Sequence, residues 1–137
     1  GLIAGAKEMG AKLIPSAYSP IFREASDSAA ALHATHGNVV AQAELIPMQL
    51  GSIGATFKPC AKLFPPVTLE EGDFYINNDP FHGGQHLPDI FLFSPIFFEG
   101  SLVGFSATVA HHLDLGGRLP GLVGSLLAWG IAFIPPL

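Results

Sequence analysis

The chain has 137 residues, of which 49% are hydrophobic and only 12% charged, with a formal net charge of −5. That length bounds it to one domain, and the hydrophobic share excludes a disordered polymer. The acidic balance, with no Lys/Arg cluster, argues against a nucleic-acid partner, and so sparse a charged surface suggests that further polypeptide, a partner subunit or a membrane covers much of the chain.

The elements follow in chain order. Leu2, Ala6, Met9 and Leu13 recur at helical spacing, which predicts a helix ending before Pro15. Lys7, Glu8 and Lys12 interrupt this stretch, so it does not read as a signal peptide. Ser16 to Asp27 reads as irregular. Ala29–His33 and Val39–Ala43 read as strands joined by the turn Thr35-His36-Gly37-Asn38, where Gly and Asn tolerate positive φ. His33 and His36 flank that tip and are expected in solvent. Ser52 is placed to cap a helix running to about Phe64, with Ile53, Phe57, Ala61 and Phe64 on one face. Pro59 would kink this helix and Pro65-Pro66 would end it.

Leu69 to Asp73 forms a turn that launches a strand from Phe74 to Asn77. Ile90–Phe98 and Leu102–Ala110 form a second hairpin around Glu99-Gly100-Ser101. Leu119 to Leu137 carries no charge, but Pro120, Pro135 and Pro136 bracket it, so it reads as a buried element and not as a membrane span. Hairpin connections predict an α+β fold with an antiparallel or mixed sheet and flanking helices. No G-x-G-x-x-G or P-loop pattern is present, which argues against a nucleotide site of those kinds. Cys60 is the single cysteine, so a disulfide framework and a thiolate zinc site within one chain are excluded. It reads as a buried small hydrophobe, and a lone thiol suits a reducing, cytoplasmic setting.

Chemistry concentrates in two polar loops. The first is Asn77-Asn78-Asp79-Pro80-Phe81-His82-Gly83-Gly84-Gln85-His86-Leu87-Pro88-Asp89, and the second is His111-His112-Leu113-Asp114-Leu115-Gly116-Gly117. Polar loops between buried strands are where a rigid scaffold presents reactive groups. Pro88 keeps His86 and Asp89 out of a regular helix and on a turn. A hairpin then returns the chain to its starting end, which brings His111 beside them. Two imidazoles and a carboxylate in such a set suit a divalent ion, Zn or Mn. Asp27 ends the irregular segment before the first strand and can supply a fourth oxygen. Asp79 before Pro80 reads as a turn starter, His82 as an exposed turn residue, and His112, pointing opposite to His111, as core or as a partner of the ligands.

The ordered series Glu8-Met9-Gly10-Ala11, Val39-Val40-Ala41-Gln42-Ala43-Glu44, Ile46-Pro47, Leu50-Gly51-Ser52, Gly72-Asp73, Asn78-Asp79-Pro80-Phe81-His82-Gly83-Gly84, His86-Leu87-Pro88-Asp89-Ile90 and Ala110-His111-His112-x-Asp114-x-Gly116-Gly117 resembles the N-terminal part of the hydantoinase B/oxoprolinase family. The resemblance covers nearly the whole chain. It implies that residues 1–137 are the N-terminal metal-binding portion of a larger, cytoplasmic protein. That protein would form part of an ATP-dependent hydrolase of cyclic amides such as hydantoins, 5-oxoproline or lactams.

It further implies a hetero-oligomer in which a kinase-like, hydantoinase A-type subunit or domain uses ATP to phosphorylate the small-molecule substrate. The part resembling this chain would then act at a divalent metal, with Asp27, His86, Asp89 and His111 as ligands. The same resemblance leaves open a subunit of an acetone- or acetophenone-type carboxylase, or a non-catalytic fragment that keeps the metal for structure. The chain departs from the family where Leu45 and Gln49 stand in place of frequent histidines, and at Ser28-Ala29-Ala30 in place of an aromatic-Ser-Cys run.

Overall fold

The structure is a computed structural model, and it describes residues 1–16, 24, 27–43 and 47–112. A first helix, α1, spans Leu2–Ser16, with Pro15 accommodated in its last turn. Five strands follow: β1 (Ser28–His33), β2 (Val39–Gln42), β3 (Tyr75–Asn77), β4 (Asp89–Phe98) and β5 (Ser101–His111). They form one sheet in the order β2-β1-β5-β4-β3, and every neighbouring pair is antiparallel. A second helix, α2, spans Pro47–Leu63 between β2 and β3. The fold is therefore α+β with an antiparallel sheet, as the hairpin connections require. Among the described residues no helix is long and apolar enough to cross a membrane. The segments Ser16 to Asp27 and Leu119 to Leu137 lie largely or wholly outside the described residues.

Both expected hairpins form. In the β1–β2 turn the Gly37 amide donates to the Ala34 carbonyl at 2.8 Å, and Gly37 sits at φ 83°. The β4–β5 turn places Glu99 and Gly100 at φ 49° and 75°, the paired positive values whose twist matches a two-residue hairpin. Strand alternation then sorts side chains. Ala29 and Ala31 of β1, Phe91 and Phe93 of β4, and Phe105, Ala107 and Val109 of β5 share one face, and α2 covers them with Ile53, Phe57 and Cys60. Phe57 is the hub of this core, with ring centroids 4.8 Å from Phe105, 5.4 Å from Phe93 and 5.9 Å from Tyr75. The alternate residues Ala30, Ala41 and Ala43 are also buried, where α1 packs against β1 and β2 around the buried Ala6.

Two expectations are corrected. The second helix does not begin at Ser52. It begins at Pro47, whose missing N–H and fixed φ suit a first helical position. Ser52 lies inside the helix, where its hydroxyl donates to the Gln49 carbonyl at 2.8 Å. Nor is His33 in solvent. It is 3% exposed, its ring stacks on Phe57, and Nδ1–H donates to the Gly37 carbonyl at 2.8 Å. Hairpin closure supplies that acceptor, so a polar ring can enter an apolar core with one nitrogen satisfied. His36, by contrast, is exposed.

Candidate metal centre

The β4–β5 hairpin builds the site by register. Asp89 is the first residue of β4 and His111 the last of β5, and they are direct cross-strand partners. Opposed residues on an antiparallel ladder project to the same face with Cβ atoms close enough to interact. His111 Nδ1 lies 2.7 Å from Asp89 Oδ1. The turn before β4 adds His86. The Asp89 amide donates to the His86 carbonyl at 3.1 Å, which curls the chain and brings His86 Nδ1 to 3.3 Å from Asp89 Oδ2. The two imidazoles meet edge-on, with centroids 5.7 Å apart. One donor atom from each of His86, Asp89 and His111 lies within 4.8 Å of the others.

Burial grades across the three. The Asp89 side chain is fully buried, that of His111 is 25% exposed and that of His86 57%. The carboxylate forms the floor and His86 the rim, so the set is open to solvent on one side. Asp89 Oδ2 accepts no hydrogen bond among the described residues. A buried carboxylate oxygen left so is costly, and a cation at the mouth would satisfy it. Ligand bonds of about 2.0–2.2 Å to N and O need donor atoms no more than about 4.4 Å apart, so a small side-chain adjustment would close a trio that lies within 4.8 Å onto one ion. The residues present therefore fit a divalent ion.

Asp27 comes close but does not join the trio. It precedes β1, and its carbonyl accepts the His111 amide at 3.1 Å. Its carboxylate is held by Gln49, whose Nε2 donates to Asp27 Oδ1 at 3.2 Å and reaches Asp89 Oδ1 at 3.5 Å. Gln49 is buried and lies in the first turn of α2, over the end of the core face that carries Asp89. Sequence reasoning did not place Gln49 here; its one signal is that it departs from the family's frequent histidine.

The remaining polar residues take other parts. Asp79 caps the short 3-10 turn Pro80–His82 through the Phe81 amide, and its carboxylate lies 2.6 Å from His82 Nδ1, which holds the Asp79 carboxyl below its ordinary range. Asp79 starts the turn and His82 is exposed on it, as expected, with Asp79 half-buried. Gly83, at φ 99°, lies against the α2 backbone at Ala55 and Thr56 and seats this loop on the helix. His112 is buried, and its amide donates to the Pro88 carbonyl at 3.0 Å, tying the end of β5 to the His86–Asp89 turn. Burial and then the adjacent His111 lower the pKa of its imidazole, while Asp89 raises it.

The sequence profile of the hydantoinase B/oxoprolinase family matches residues 1–126. The chain belongs to that family. It is 38% identical over 122 residues to the B-type component of a putative D-/L-hydantoinase from a Pseudomonas species, covering 87% of this chain and 21% of that protein. It is 41% identical over 119 residues to the 5-oxoprolinase of Saccharomyces cerevisiae, covering 86% of this chain and 9% of that one. Among solved structures, the ATP-dependent caprolactamase of Pseudomonas jessenii superposes with a TM-score of 0.74 at 30% identity, over 88% of this chain and 21% of that chain. An acetone carboxylase superposes with a TM-score of 0.73 at 29% identity, over 84% of this chain and 15% of the other. The chain thus spans about a fifth or less of the length of these relatives.

Proposed function

We propose that residues 1–137 are the N-terminal, metal-binding portion of an ATP-dependent hydrolase of cyclic amides, of hydantoin, 5-oxoproline or lactam type. The observation that carries this reading is the buried Asp89 carboxylate, bracketed by two imidazoles and open to solvent at His86. His86, Asp89 and His111 hold a divalent ion, Zn or Mn, and Asp27 completes its shell. Such an ion supplies Lewis acidity toward a substrate oxygen and activates water. The protein's own groups do the positioning. The β4–β5 register sets Asp89 against His111, and the turn through Pro88 aims His86.

ATP is used by a kinase-like, hydantoinase A-type subunit or domain outside these residues, a reading supported by the family match. Two relatives are named as single components of larger enzymes, one of a hydantoinase and one of a caprolactamase, which supports a hetero-oligomer. A second reading, a subunit of an acetone-type carboxylase, is favoured by the acetone carboxylase superposition. Substrate panels with ATP and the partner separate the two: ring opening of a lactam or hydantoin against carboxylation of acetone. The metal assignment is tested by elemental analysis after dialysis. His86→Ala and Asp89→Ala should lose the ion and His36→Ala should keep it; equal metal in all three would refute the site.

A further inference from the structure

Among the described residues, the Gln49 side-chain amide is the one that reaches both carboxylates at this centre. Its Nε2 stands 3.2 Å from Asp27 Oδ1 and 3.5 Å from Asp89 Oδ1, while its Oε1 is buried and accepts no hydrogen bond among the described residues. An amide oxygen would repel both carboxylates, so the amide is turned with its donors toward them, although its other end stays unsatisfied. Gln49 therefore bridges two acidic groups in the way a cation would, but with a weaker, neutral group.

The bridge has two consequences. It keeps Asp27 on the helix side of the centre, outside the group formed by His86, Asp89 and His111. It also offsets the repulsion between two acidic side chains that share one donor. We propose that Gln49 is a positioning residue that clamps Asp27 to Asp89 and competes with a divalent cation for both. The clamp holds the metal-free centre together and lowers its affinity, because Asp27 must leave the amide to reach an ion. The inference rests on the metal reading above, and it makes Gln49 a setter of affinity, not a ligand.

The clamp and a direct ligand role predict opposite signs. Gln49→Met keeps the side-chain length and removes the amide. Gln49→Asn keeps an amide too short to reach both carboxylates, and it serves if the first variant folds poorly. With Mn2+ alone as the probe, Kd is measured by calorimetry and Tm is measured with and without the ion. For either variant we expect Mn2+ binding to tighten by about tenfold, the worth of one hydrogen bond to a charged group no longer forfeited when the ion enters. The metal-free Tm should fall, and the Mn2+-induced rise in Tm should grow. A weaker Kd would make Gln49 a ligand or an orienting donor and overturn the clamp. An unchanged Kd, with Tm lowered equally with and without Mn2+, would reduce it to packing and overturn the clamp as well. His86→Ala separates the two inferences. Binding by the native protein that this variant abolishes keeps the metal reading whatever Gln49 does, whereas no binding by any variant or by the native protein overturns both.

Discussion

Replacing Gly83 with alanine isolates the contact that seats the polar loop on α2, because Gly72 provides a matched control. The two glycines have nearly the same φ, 99° at Gly83 and 101° at Gly72. A Cβ on Gly72 would meet nothing within 4 Å, whereas a Cβ on Gly83 would lie 2.7 Å from the Ala55 carbonyl carbon and 2.8 Å from the Thr56 nitrogen. Positive φ costs an L residue about 1–2 kcal/mol, and the stiffer unfolded chain returns about 0.4–1 kcal/mol. Gly72→Ala should therefore destabilise by about 1 kcal/mol. Gly83→Ala carries the same strain and an added clash with helix backbone, which cannot rotate away as a side chain would. Overpacking of this kind adds about 1–3 kcal/mol, for a total of about 2–4 kcal/mol.

Urea denaturation monitored by circular dichroism gives both values, and each kcal/mol should lower Tm by roughly 3–6 °C. Relief of the clash lifts the loop away from α2, where Asn77 Nδ2 also reaches the Thr56 carbonyl at 3.5 Å. Because His86 lies three residues beyond Gly83, Gly83→Ala should also weaken Mn2+ binding and Gly72→Ala should not. Equal destabilisation by the two substitutions would refute the claim that close backbone approach, and not φ alone, requires glycine at position 83.

Phe57→Ala should cost about 3–5 kcal/mol, because it empties the centre of the aromatic cluster on the α2 side of the sheet; a loss below about 1 kcal/mol in the same assay would contradict that role. Burial lowers the pKa of His33 from its ordinary 6.5, although the hydrogen bond to Gly37 works the other way. The unfolded chain therefore binds the extra proton first, and the stability from a neutral His33 is complete above about pH 6.5 and lost as pH falls through the folded value. His33→Phe should flatten the acid limb of a plot of denaturation midpoint against pH, and an identical slope in variant and native protein would refute the assignment.

The hairpins and the metal-ligand candidates were legible because local rules govern them. Alternating apolar residues, turn glycines and the return path of a hairpin place His111 beside Asp89 from sequence spacing, and Pro88 keeps His86 on a turn. Those signals operate over a few residues and survive whatever packs around them. Three features were not legible. The start of α2 at Pro47 required weighing a proline at a first helical position against a capping serine five residues on, and local propensity alone did not rank them. The burial of His33 depends on Phe57 from α2 stacking over it and on the Gly37 carbonyl arriving from the turn. Gln49 meets Asp27 and Asp89 across separations of 22 and 40 residues, and only the docking of α2 on the sheet decides which side chains its first turn presents to them. The sequence by itself determined which groups line the mouth of the centre, since strand register and turn chemistry are written locally. The tertiary structure decided what stands behind them, because packing two elements face to face selects contacts that no periodicity encodes.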